Sequence, residues 1–180
     1  MKNTCLKLIL IFGCTAALFG GQNPMVGGSP MYANKNIVEN ASNSKDHTTL
    51  VAAVKAAGLV DTLEQPGPFT VFAPTNDAFN KLPAGTVDTL LKPENKEMLT
   101  KILTYHVVPG KLTAGKLKKQ IEEGGGTAML KTVNGETLTA MADASGIALK
   151  DAKGNIAHVT VANVNQSNGV IHVIDMVLQP

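Results

Sequence analysis

The chain has 180 residues, 44% of them hydrophobic and only 17% charged, with Gly 17 and Pro 9. This is the composition of one globular domain rich in turns plus an N-terminal appendage. All 16 basic residues are lysines, and nucleic-acid and phosphate sites lean on the bidentate arginine fork, which argues against both classes of partner. With Lys2 and Lys7 set aside, 14 lysines face 14 acidic residues, a net charge of zero that offers no steering toward a polyanion.

Residues 1–21 read as an export signal, with Lys2 and Lys7 ahead of an apolar run from Leu8 to Phe19. That run is too short for a comfortable transmembrane helix. Two readings stand for Cys14. In one, Ile11-Phe12-Gly13-Cys14 acts as a bacterial lipobox and Cys14 is lipidated; in the other, Cys14 is simply an apolar residue of the signal. Residues 22–36, rich in Gly, Asn and Pro, read as a flexible tether before a domain spanning 37–180. Cys5 and Cys14 both fall in the leader, so the domain has no disulfide, thiol nucleophile or thiolate ligand.

Helical signals dominate the first half of the domain. Ile37 to Ala41 predicts a turn or two of helix, and Asp46 is placed to cap a second, whose stripe of Leu50, Val51, Val54 and Ala57 ends at Gly58. Leu59, Val60 and Leu63 start a short third helix before the Pro66-Gly67-Pro68 break. From Phe69 to Ala73 the residues alternate in a β-strand period, and three of the five phenylalanines lie between Phe69 and Phe79. Pro74 ends that strand, Thr75 caps the helix that follows, and Asp77 sits in its first turn. Pro93 opens a longer helix with Met98, Leu99, Ile102 and Leu103 as its buried face. Tyr105-His106-Val107-Val108 then opens a strand, and Thr113 caps a polar helix closed by Gly124-Gly125-Gly126.

Strands fill the second half: Ala128 to Val133, Glu136 to Ala142, Ile147 to Asp151, Ile156 to Val164, and Val170 to Leu178. Asn134-Gly135, Lys153-Gly154-Asn155 and Asn168-Gly169 are turn signals between them, so a hairpin meander is predicted. The last strand is apolar on both faces and is predicted to be central. Helices first and strands second define an α+β domain.

Three segments in register now carry a family resemblance. Gly67-Pro68-Phe69-Thr70-Val71-Phe72-Ala73-Pro74-Thr75-Asn76-Asp77-Ala78-Phe79, then Tyr105-His106, then Asn168-Gly169-Val170-Ile171-His172-Val173-Ile174-Asp175 resemble the signatures of the fasciclin domain. The resemblance spans residues 37–180 and implies a β-sandwich or wedge of about seven strands with helices packed around it. It also implies an exported, non-catalytic module for adhesion, contacting protein or glycan at a cell surface, matrix or envelope. Animal members bind integrins through acidic motifs just before the last signature. Asn163 stands here where those motifs carry Asp, and an amide is a poor ligand for an integrin's metal, so integrin binding is not carried over.

The residues that could bear chemistry are few. His47, His106, His158 and His172 form no HExxH or His-x-His arrangement, and Asp175 points to the face of its strand opposite His172. They are read as buried structural histidines, with no metal, cofactor or catalytic residue assigned. No Gly-x-Ser-x-Gly is present, and no Gly-Lys-Ser/Thr follows the triple glycine. Lys116, Lys118 and Lys119 read as a solvated helix face. Thr75, Asn76 and Asp77 are expected to form a capping hub, with Tyr105, His106, Asn168 and His172 structural or part of a recognition surface. The alternative function is a small-molecule binder, for lipid or glycan, using a pocket between helices and sheet. Membrane contact is expected only through a lipid anchor.

Overall fold

A computed structural model of the chain describes residues 23–144 and 146–180. The export signal and Cys14 lie outside the described residues. The described residues begin with a small hairpin, β1 (Met25–Val26) and β2 (Ser29–Pro30), followed by α1 (Ile37–Asn43). Asn36 caps α1, and the Glu39 side chain returns to the Asn36 N–H, forming a capping box. A 3-10 turn, Lys45–His47, leads into α2 (Thr48–Ala57), which stops at Gly58 with φ 72°. Next come α3 (Val60–Glu64), β3 (Phe69–Pro74), α4 (Asn76–Asn80), α5 (Thr86–Leu90) and α6 (Lys96–Tyr105). After β4 (Val107–Pro109) and α7 (Ala114–Glu123) the meander begins. It consists of β5 (Thr127–Lys131), β6 (Thr137–Asp143), β7 (Gly146–Lys150), β8 (Ile156–Gln166) and β9 (Gly169–Ile174).

The seven larger strands form one sheet in the order β4-β3-β9-β8-β7-β6-β5. All its pairs are antiparallel except β3 with β9, which run parallel with Phe69 beside Gly169 and Phe72 beside His172. β8 pairs with β7 through its first residues and with β9 through the rest, with register shifts between Val159 and Val161 and between Val161 and Val164. Such irregularities bend a strand, and here the sheet curls toward a barrel. The Val133 N–H donates to Val107 O at 2.8 Å, joining the β5 end of the sheet to the β4 end.

Two apolar clusters divide along the sheet. Leu50, Val54, Leu99 and Leu103 from the helices meet Val71, Ala73, Ile171 and Val173 on one side. Phe72 and Ile174 enter the other side, with Tyr105, Leu117, Leu138 and Leu149. Alternate residues of β3 and β9 therefore serve different clusters, which explains why these strands read as apolar on both faces. Each large side chain buried in this way contributes about 1.5–3 kcal/mol.

The α+β class, the helix-rich first half and the meander match the sequence expectations. Four local expectations are corrected. Residues 25–36 are not a free tether: Val26 and Met31 are buried, the Asn40 amide exchanges hydrogen bonds with the Tyr32 backbone, and the Ser167 N–H donates to Lys35 O. Tyr105 and His106 close α6 and do not open the strand. Met98 is 57% exposed instead of buried with Leu99 and Leu103. The last strand ends at Ile174, not Leu178, because Asp175 turns the chain and accepts the His158 N–H through Oδ1 at 2.8 Å.

Gly169 marks the tightest contact between elements of the sheet. A Cβ on this residue would sit 2.1 Å from Phe69 O, on the neighbouring parallel strand. Both strands are central, so neither backbone has room to retreat. Gly169→Ala is expected to destabilise the fold by about 2–3 kcal/mol through overpacking, read as a lower urea midpoint. An unchanged midpoint would mean that the β3–β9 pair is looser than its geometry.

Candidate functional site

The residues singled out from sequence are brought together only in part. Thr75 caps α4, its Oγ1 accepting the Ala78 N–H at 3.3 Å, while its own N–H donates to Ile174 O. Asn76 works across elements. Its Oδ1 accepts the Thr49 N–H at 3.1 Å and the Thr48 hydroxyl at 3.2 Å, and its Nδ2 donates to Lys45 O at 2.8 Å. Asn76 is thus the N-terminal cap of α2, a role the sequence had suggested for Asp46, which lies in the preceding 3-10 turn. Asp77 is exposed in the first turn of α4.

Asn168 is a second cross-element hub. Its Oδ1 accepts the Ile37 N–H at 3.1 Å, satisfying an orphan donor of α1, and its Nδ2 donates to Leu63 O at 2.6 Å at the end of α3. Asn163 is a third. It adopts φ 59° beside the β8 bulge and its Oδ1 accepts the Ala114 N–H at 2.7 Å, at the start of α7. The position where the family resemblance suggested a metal-seeking Asp is therefore used here to cap a helix.

Two of the four histidines are locked by the backbone, whereas His158, expected to be buried, is 42% exposed at its side chain and lies 3.0 Å from Asp143 Oδ2 through Nδ1. His106 is buried, with Nδ1 donating to Ile102 O at 2.8 Å and Nε2 accepting the Leu178 N–H at 3.0 Å. His172, fully buried, stacks on Phe72 at 5.7 Å; its Nε2 donates to Leu112 O at 2.8 Å and its Nδ1 accepts the Asn163 N–H at 3.4 Å. Each ring is neutral and spends both nitrogens on backbone groups, leaving no lone pair for a metal or a proton transfer. The Tyr105 hydroxyl likewise donates to Thr137 O and accepts the Ala152 N–H. Asp175 binds the His158 N–H and lies 3.6 Å from the Lys81 ammonium, away from His172. Among the described residues, no group of three or more His, Cys, Asp or Glu could hold a metal.

What remains for recognition is surface. An open groove of ≈ 600 Å³ lies where the first and last signature segments meet, floored by Gly67, Pro68 and Gly169. Glu39, Glu64 and Lys111 line it, all exposed. Sequence reasoning missed this groove. The signals were present in the Pro66-Gly67-Pro68 break and in Asn168-Gly169, but nothing local says that residues so far apart share one rim.

The fold and its hubs define a class: an α+β module in which Asn76, Asn168, His106 and His172 tie helices and loops to a sheet. The Fasciclin domain family model matches residues 45–180, and the chain belongs to the fasciclin domain family. Protein sll1483 of Synechocystis is 54% identical over 146 residues, covering 80% of this chain and 73% of that protein. The cell surface glycolipoprotein MPB83 of Mycobacterium bovis is 35% identical over 176 residues, covering 94% of this chain and 72% of that protein. A FAS1 domain pair from the insect cell adhesion molecule fasciclin I superposes with a TM-score of 0.55 at 23% identity, over 72% of this chain and 43% of that one. No helix among the described residues is long and apolar enough to cross a membrane.

Burial lowers the pKa of His106 from 6.5 to about 4, and burial also lowers those of His47 and His172. Between 6.5 and about 4 the unfolded chain binds a proton at residue 106 that the fold excludes. Stability is therefore complete above 6.5 and falls toward about 4, losing about 3 kcal/mol at this residue alone. Urea titrations at stepped pH read this directly, and a flat profile in that window would contradict neutral burial. Asn168→Ala, which strands the Ile37 N–H and Leu63 O, should cost about 2–4 kcal/mol, against about 0.5–2 kcal/mol for Asn76→Ala or Thr75→Ala. Thermal melts of the three variants give the ranking.

Proposed function

We propose that the chain is an exported, non-enzymatic interaction module that holds a protein or glycan partner at a cell surface, matrix or envelope. Fasciclin domains are generally adhesion-type modules without catalysis. The observation that carries the reading is the locked state of the signature side chains. His106, His172 and Tyr105 make two hydrogen bonds each to main-chain groups, which suits a scaffold and leaves none of these three side chains free to act as a base or nucleophile. The groove bordered by Glu64 and Lys111 is the face assigned to the partner.

Export through residues 1–21 belongs to the same reading, with Cys14 either lipidated or removed with the signal. The description of MPB83 as a cell surface glycolipoprotein supports the lipidated form. Mass spectrometry of the mature protein separates the two: a diacylglyceryl Cys14 establishes the anchor, and an N-terminus past residue 20 excludes it.

A pull-down from the native envelope, with the purified chain as bait, tests the interaction. Capture of a defined protein or glycan, weakened by Glu64→Lys or Lys111→Glu at unchanged melting temperature, is the expected result. Absence of any captured material would remove the adhesion role and leave the fold untouched. A second reading, small-molecule binding, is favoured by a separate cleft.

A further inference from the structure

On another part of the molecule, α5, α6 and the C-terminal segment enclose a cleft of ≈ 360 Å³. Its floor is apolar: Leu90 and Val177 are buried beneath it, and Ile102 is half-buried at its side. Met98 stands at its edge, 57% exposed, although helical spacing places it next to Leu99 in the stripe that faces the core. An unbranched, polarisable side chain left at the edge of an apolar cleft is a common feature of adaptable binding surfaces.

The rim carries cationic groups. Lys153 reaches across to Gln179, Nζ to Oε1 at 2.9 Å, so a neutral amide is its partner in this geometry. Lys101 also lines the cleft, but its ammonium is 2.9 Å from Glu136 Oε1 and is largely neutralised. The buried Asp151 carboxylate behind them is taken up by the Lys153, Asn155 and Gln179 N–H groups, so one ammonium with a neutral partner, an adjacent amide able to donate, and an apolar floor form a complementary set at the surface. They match a ligand with one small anionic head and one hydrocarbon tail. The volume lies at the low end of ligand-holding clefts, which favours a single chain over a two-chain lipid.

We propose that this cleft binds a free single-chain carboxylate amphiphile, with the head at Lys153 and Gln179 and the tail over Leu90, Ile102 and Val177 beside Met98. The site is independent of the partner groove, so either assignment can fail without the other.

The test uses the full chain and decanoate as probe, followed by calorimetry and by methyl NMR of the methionines. Saturable binding that perturbs the Met98 methyl is expected. Lys153→Glu should weaken it roughly tenfold by reversing the head-group contact. Met98→Glu should weaken it by a similar factor through the tail. Both positions are exposed, so melting temperatures should hold, and Lys118→Glu on α7 serves as the unaffected control. Decanol should bind more weakly than decanoate and ignore Lys153→Glu. Absence of saturable binding, or binding indifferent to both cleft variants, would overturn the proposal. Flotation with phosphatidylglycerol vesicles that depends on Lys153 and Met98 would also overturn it, by making the face a membrane contact instead of a ligand site.

Discussion

The structure depends on one close approach, the parallel contact of β3 with β9. Parallel neighbours cannot be joined by a tight turn, so the chain must travel from Pro74 to Gly169 before the pair can close. Once closed, the pair lies inside the sheet, away from its edge strands, and divides the apolar clusters, with Phe72 on one side and Val71 and Ala73 on the other. Gly169 permits the approach because any side chain would collide with the Phe69 carbonyl. The ordering entropy of that long closure must be offset by what the two strands bury.

Around this pair, side-chain amides and imidazoles do work that helices usually assign to neighbouring residues. Asn76 caps α2, Asn168 caps α1 and holds the end of α3, and Asn163 caps α7. His106 and His172 bind backbone groups of segments that lie in neither helix nor strand, at Leu178 and Leu112. All five are neutral, which suits a charge-poor chain without arginine. A buried ion pair would cost desolvation that amides avoid. The buried imidazoles and amides of the signature segments are thus engaged by backbone groups.

The N-terminal segment extends the same logic. Asn40 binds both Tyr32 and the Gln166 side chain, and Ser29 donates to Asn43 O. Residues ahead of the family-model match at 45 are thereby tied to the end of β8. Their composition suggested a tether because glycine and asparagine are read as loop formers, and nothing local marks Asn40 as buried.

Much of this was legible in the chain itself. The helix-first, strand-later order, the turn at Asn134-Gly135, the Thr75 and Thr113 caps and the two-faced character of β9 all follow from local pattern, since propensity and periodicity act over a few residues. The three signature segments also identified the family. Tertiary structure decided the rest. It turned Asn76 and Asn168 into caps of distant helices, assigned the histidines their backbone partners, left Met98 at the rim of a cleft, and brought Pro68 beside Gly169 in an open groove. The physical reason is that hydrogen-bond satisfaction and burial are settled between segments far apart in sequence, and only the closed β3–β9 pair sets which segments meet.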